Sequence, residues 1–202
     1  MSTTDIVTDY LVIGTGATAM AFVDTLLSEQ ADATVVMVDR QHRPGGHWND
    51  AYPFVRLHQP SEWYGVASRE LGDGTKDATG VNAGLYGLAS GAQVLAYFDQ
   101  VMQQRFLPSG RVRWLPMSEY SAGADGEHQV RSLTSGDRQY ITVRKKVVNG
   151  THAQTAVPST HPPKYAPITA GEYLFTRLSR QYSRAGDVTD DIRERVARQS
   201  QG

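Results

Sequence analysis

The feature that most constrains this chain is a glycine turn set between two apolar runs. Tyr10, Leu11, Val12 and Ile13 read as a short buried strand, and Gly14-Thr15-Gly16-Ala17-Thr18-Ala19 follows directly. An apolar helix over 18–29, a second strand over 34–38 and then Asp39 complete the pattern. Strand, G-x-G-x-x-A turn, helix, strand and an acid about 20 residues on make a dinucleotide-binding βαβ unit. Gly14 lets the backbone turn sharply off the strand, Gly16 has no Cβ to hold a pyrophosphate away from the helix N-terminus, and Ala19 keeps the helix close to the sheet. The first N–H groups of that helix and its positive dipole end then face the phosphates. The Asp39 carboxylate can accept hydrogen bonds from ribose hydroxyls, and its charge disfavours a 2′-phosphate. A G-x-G-x-x-A alone is a weak signal, because glycine turns are common; the flanking strand, helix and acid give it meaning.

The elements around the turn have matching periodicity. Met20, Ala21, Val23, Leu26 and Leu27 recur at steps close to three and four, which gives the helix one broad apolar face to lay on a sheet. Thr34-Val35-Val36-Met37-Val38 is nearly continuous in apolar character, as expected of a parallel strand covered on both sides.

Arg43-Pro44-Gly45-Gly46-His47-Trp48 comes next. Two successive glycines let main chain lie against a flat group, and Trp48 offers a large face beside it. This P-G-G-x-W element just after Asp39 and Arg40 resembles the flavin-contacting loop of flavin-dependent monooxygenases. Residues 49–65 resemble the segment that runs along the flavin ring in that family, and the likeness covers about 9–163 by these motifs. The alternative reading of Gly45-Gly46 is an ordinary surface turn, and that of Trp48 and Trp63 is plain core aromatics. With the upstream turn, FAD is favoured over NAD. The resemblance implies an α/β, Rossmann-like FAD-binding domain: a mostly parallel sheet with helices and a small antiparallel meander. It also implies a cofactor set of Gly14, Thr15, Gly16, Ala17, Thr18, Ala19, Asp39, Arg40, Gly45, Gly46, His47, Trp48 and Met117. The last lies at the end of a strand over 111–117, which the family places beside the adenine.

Farther along, residues 69–84 read as a loop. Its second G-x-G, Gly72-Asp73-Gly74, neither follows a strand nor opens an apolar helix, so it reads as structural punctuation. Ser90 can cap a helix over 91–106 with Val94, Leu95, Phe98, Val101 and Met102 on one face, ended by Pro108-Ser109-Gly110. Strands over 128–133 and 139–143 flank Ser135-Gly136-Asp137, a hairpin signal, and Val147-Val148-Asn149 reads as a separate returning central strand before Gly150-Thr151. In the resembling family that return is usually A-T-G or D-A-T, so the glycine here stands one place early. Residues 157–163 match the proline-marked stretch that follows it.

The resemblance implies reduction of FAD by NADPH, reaction with O₂ and transfer of one oxygen to a nitrogen, sulfur or carbonyl substrate. In that family a second G-x-G-x-x-G for NADPH follows, whereas residues 164–202 carry no such fingerprint. They read instead as two short helices, over 172–184 and 189–198. The domain expectation is therefore 1–163 as the FAD domain and 164–202 as a short helical C-terminal extension. NAD(P)H would be an external donor, or a homodimer or partner chain would supply the missing domain. Two other readings stay open. One is a truncated, non-catalytic nucleotide-binding or partner module. The other is a small NAD-dependent reductase, which Asp39 permits but which lacks a Tyr-x-x-x-Lys pair, since Arg144 stands four after Tyr140.

The remaining chemistry narrows by elimination. The chain has 202 residues and no cysteine, which removes a redox-active cysteine pair, a thiolate nucleophile and a cysteine zinc site. Its six histidines show no metal-ligand spacing. No nucleophile elbow or triad is evident, so the catalytic residues and the small-molecule substrate are unassigned. His47 and His58 flank the glycine loop and read more simply as polar surface groups than as acid or base. A formal net charge of −1 gives no electrostatic case for nucleic acid or an anionic membrane. No apolar run has spanning length and the N-terminus lacks a signal-peptide pattern, so the expectation is a cytoplasmic protein without membrane partners.

Overall fold

The computed structural model describes residues 5–123 and 126–151. The proline-marked stretch, the two C-terminal helices and the domain boundary expected at 163 lie outside the described residues.

Among the described residues six strands form one sheet: β1 (Asp5–Ile13), β2 (Val35–Val38), β3 (Val112–Leu115), β4 (Ser118–Ala122), β5 (His128–Ser132) and β6 (Arg138–Asn149), in the order β3-β2-β1-β6-β5-β4. Helix α1 (Ala17–Glu29) joins β1 to β2, and α2 (Gly91–Val101) precedes β3. The β3-β2-β1-β6 half is parallel and β6-β5-β4 is antiparallel, giving the expected Rossmann-like α/β fold with its meander. All four residues of β2 are buried, because alternate side chains enter different cores. Val12, Val35 and Met37 pack with α1, α2 and the 51–90 connection, while Leu11, Val36 and Val38 pack with Val130 and Ile141 of the meander.

Two expectations need correction. The strands read separately at 139–143 and 147–149 are one 12-residue strand. Its first residues pair antiparallel to β5, with Arg138 opposite Arg131, while Tyr140 through Asn149 run parallel to β1. Arg144, Lys145 and Lys146 interrupt the apolar pattern with side chains that reach solvent; Arg144 and Lys145 fall where the register with β1 shifts, and the ladder resumes at Lys146 opposite Tyr10. The second correction is the helix read over 91–106. Its α-helical part ends at Val101, a π turn spans Met102–Phe106, and a 3-10 turn at Leu107–Ser109 leads to Gly110 in the left-handed region. The Ser90 cap is present as a full capping box: its hydroxyl accepts from the Gln93 N–H and the Gln93 side chain accepts from the Ser90 N–H.

The π turn coincides with a buried ion pair. It carries Arg105, whose guanidinium Nε bonds the Asp24 carboxylate on α1, and that carboxylate also accepts from the Ser68 N–H at 2.9 Å and from the Ser68 hydroxyl. Asp24 is 0% exposed, so a charge is held inside the core only because these donors surround it. The pair fixes α1 against the end of α2 and against the long connection between β2 and α2.

Candidate nucleotide site at the glycine turn

The site begins where β1 stops. Gly14 has φ +94 and donates its N–H to the Val38 carbonyl at 2.7 Å. A side chain there would both strain the backbone and meet the Thr151 methyl at 2.9 Å. Gly16 differs: its φ of −74 and ψ of 176 suit any residue, and a Cβ would meet only the Gly46 Cα, at 3.6 Å. It occupies the N-cap of α1, where no side chain caps the helix and no acid stands in the first turn. The first N–H groups of this end have no intrahelical partner. Packing within the chain therefore does not require glycine at 16, whereas close approach of a phosphate to those N–H groups does.

Thr15, between the two glycines, is 0% exposed and joins three segments. Its N–H and its hydroxyl both donate to Asp39 Oδ2, each at 2.6 Å, and its carbonyl accepts from the Gly45 N–H at 2.8 Å. The other Asp39 oxygen, Oδ1, accepts from the Gln41 N–H at 2.9 Å. Gly45 and Gly46 have φ +122 and +57, and a Cβ on Gly46 would lie 2.9 Å from the Gly16 Cα. The double glycine is thus what lets the second loop rest directly on the first. Gly16, Gly46 and Asp39 remain partly exposed, Thr18 and His47 are exposed, and Ala17 lies at the helix start between them.

The other sequence-derived residues divide. Ala19 is buried and faces Gly150: a Cβ on Gly150 would stand 2.7 Å from the Ala19 Cβ and 3.0 Å from the Ile13 carbonyl. The early glycine of the returning strand therefore has a packing reason of its own. Trp48 is 7% exposed, donates its indole N–H to the Tyr64 hydroxyl at 2.8 Å, and has Gly91 of α2 against its ring. Its indole is committed to the core, with His47 stacked beside it at 5.5 Å, while Trp63 is largely exposed. Burial pushes the Tyr64 phenol up, against the smaller effect of the Trp48 hydrogen bond, so this anchor stays neutral.

On the far side of Asp39, Ser118 donates its N–H to the Asp39 carbonyl at 2.9 Å. That bond brings Met117 next to the acid. Met117 has φ +47, the only non-glycine in that region among the described residues, and is held there by its N–H to the Gln41 carbonyl and by the Leu133 N–H to its own carbonyl. Arg40 is exposed and lies 3.8 Å from Glu119, whose carboxyl is held below its ordinary range chiefly by the Arg131 hydrogen bond at 2.8 Å. Sequence reading did not find the Thr15–Asp39 bonds, the Gly150–Ala19 contact or the buried Asp24. Of these, only Gly150 carried a visible signal, as a glycine at a strand end.

Among the described residues no group of three or more histidine or acidic side chains is placed to hold a metal, and no helix is long and apolar enough to cross a membrane.

The fold and this turn define a Rossmann-like α/β domain. A flavin-containing monooxygenase from Stenotrophomonas maltophilia matches with a TM-score of 0.50 at 22% identity, over 72% of this chain and 38% of that one. The polycyclic ketone monooxygenase from Thermothelomyces thermophila matches at 0.55 and 16% identity, over 75% of this chain and 24% of that one. The bacillithiol disulfide reductase from Bacillus cereus matches at 0.54 and 12% identity, over 71% of this chain and 39% of that one. At these identities the likeness is one of fold. No family model matches. By sequence the chain is 52% identical over 159 residues to uncharacterized proteins of Mycobacterium tuberculosis and Mycobacterium bovis, covering 79% of this chain. The chain spans 28% of the length of those relatives.

Proposed function

We propose that this chain is the FAD-binding portion of a flavin-dependent oxidoreductase of monooxygenase type. The observation that carries the reading is Gly16: a glycine that packing does not require, at the uncapped N-terminus of α1, touching Gly46 and beside Asp39. The donor set fits the cofactor. The first turn of α1 offers N–H groups to a pyrophosphate, Asp39 Oδ1 has acceptor capacity for a ribose hydroxyl, and Met117 and Arg40, close to Asp39 along the chain or through Ser118, would be the residues that hold the adenine. Gly45, Gly46 and the exposed His47 would be the residues that hold the cofactor beyond its pyrophosphate. Trp48 serves this surface by anchoring the loop to Tyr64 and α2.

When bound, the flavin would supply the electron transfer and the reaction with O₂. The chain's own part is to hold the pyrophosphate and ribose and to set the loop beside the ring. The sequence carries one nucleotide fingerprint, which this reading gives to FAD, with NAD(P)H as the electron donor.

An absorption spectrum after incubation with FAD and removal of free cofactor tests the proposal. Retained flavin absorbance is expected, and bleaching on anaerobic addition of NADH or NADPH marks a working reductive half. Retention without bleaching assigns the chain to cofactor binding alone. A folded protein that retains no flavin and gives no heat on titration with FAD or ADP overturns the reading.

A further inference from the structure

The hydrogen bonds around Asp39 set how much of a ribose it can grip. A carboxylate offers about four acceptor positions, two on each oxygen. Oδ2 spends both of its positions on Thr15, one on the N–H and one on the hydroxyl, each at 2.6 Å. Oδ1 spends one on the Gln41 N–H at 2.9 Å. One position remains, on Oδ1. Thr15 does not readily give way: it is fully buried, and its carbonyl is tied to the Gly45 N–H. Releasing its hydroxyl would leave a buried polar atom to be satisfied elsewhere.

We infer that Thr15 is a specificity-determining residue that saturates one oxygen of Asp39, so that the site takes the adenosine ribose through a single hydroxyl rather than through both. The inference rests on the nucleotide reading above and deepens it. It makes Thr15 a positioning residue for Asp39, since its side chain lies behind the carboxylate and out of solvent. Asp39 then acts as a one-point acceptor whose direction is fixed by three protein donors, two from Thr15 and one from Gln41. A 2′-phosphate remains disfavoured, because the open position adjoins a full negative charge.

The test is a titration calorimetry series on the full chain with ADP, 2′-deoxy-ADP and 3′-deoxy-ADP as probes. One of the two deoxy analogues is expected to bind about 10-fold or more weaker than ADP, the loss typical of a hydrogen bond to a charged group, while the other binds as ADP does. Comparable losses for both analogues mean a two-hydroxyl grip and overturn the inference, as does no loss for either. Thr15→Val removes the hydroxyl but keeps the backbone N–H, which returns one acceptor position to Oδ2. In that variant the tolerated analogue should also lose about 10-fold relative to ADP. An unchanged pattern in a folded Thr15→Val protein overturns the role given to the hydroxyl. Thr15→Ser keeps the oxygen and is expected to bind all three probes as the parent does; a Val-like pattern there also overturns it. Failure of ADP and FAD alike to bind the parent protein removes the nucleotide reading itself, an outcome distinct from any pattern among the analogues.

Discussion

A Cβ built on Gly150 would stand 2.7 Å from the Cβ of Ala19, closer than two real side chains approach. The end of β6 and the first turn of α1 therefore meet backbone to methyl, and the Ile13 carbonyl, 3.0 Å from the same point, leaves no way to turn aside. This contact sets how near the N-terminus of α1 lies to the sheet. Neither neighbour is the loose end of a long side chain, so relief requires the helix or strand to move. Gly150→Ala is accordingly expected to destabilise the fold by about 1–3 kcal/mol, read as a lower urea midpoint at unchanged slope. An unaltered midpoint would mean that the helix yields at no cost.

Gly16 is predicted to behave in the opposite way. Its backbone is one any residue adopts, and a Cβ there makes an ordinary contact with Gly46. Gly16→Ala should leave stability within about 1 kcal/mol, the N-cap preference for glycine and the stiffer unfolded chain partly offsetting each other. Affinity for FAD should nevertheless fall at least 10-fold, because the new methyl enters the space of the pyrophosphate. Equal affinity in a folded Gly16→Ala protein would place the phosphates elsewhere. The pair of variants separates a glycine kept for the chain from one kept for a ligand.

That contrast also shows what the sequence made legible. The βαβ unit could be read because its signals are local: an apolar run, a glycine turn, a helical stripe and an acid at set spacing. The cap at Ser90 was legible for the same reason, though its return partner Gln93 was not read. The union of the last two strands was not, because Arg144 to Lys146 break the apolar pattern with exposed side chains while the strand carries on through a register shift and pairs with β1 again from Lys146. Nor was the burial of Trp48, since a tryptophan after two glycines reads alike whether it faces a cofactor or Tyr64. The Thr15–Asp39 bonds span 24 positions, and the Asp24–Arg105 pair spans 81; only the folded chain brings such partners together.

Asp24 supplies a prediction of larger size. Its carboxylate is fully buried, and Arg105 is its charge partner, with Ser68 the other donor. Arg105→Met keeps much of the apolar stem but leaves the charge with Ser68 alone. The loss should be about 3 kcal/mol, the low end for breaking a buried pair, because Arg105 is 34% exposed and water can partly replace it. Asp24→Asn combined with Arg105→Met should recover part of that loss by removing the orphaned charge. Strict additivity in this double-mutant cycle would show that the two residues do not act as a pair.

Asp9 gives the pH dependence. It sits where the register between β1 and β6 shifts, at the residue between Thr8 and Tyr10. Its Oδ2 accepts from the Thr34 N–H at 3.0 Å and the Thr34 hydroxyl at 3.2 Å, while Oδ1 lies 3.7 Å from Arg144. The Thr34 backbone hydrogen bond, foremost, holds the Asp9 carboxyl below its ordinary value of 3.8; burial, next in size, opposes it, and the Thr34 hydroxyl, Lys145 and Arg144 add to the lowering. A depressed carboxyl stabilises the fold above its unfolded value, and that contribution is lost as pH falls through the folded one. The clamp between β1 and the start of β2 should thus be fully present above about pH 4 and weaken progressively below it. Urea midpoints for the parent and Asp9→Asn proteins, taken from pH 6 down to pH 3, should converge as the pH falls. A gap between the two that stays constant over this range would show that the carboxylate charge contributes nothing to holding the strands together.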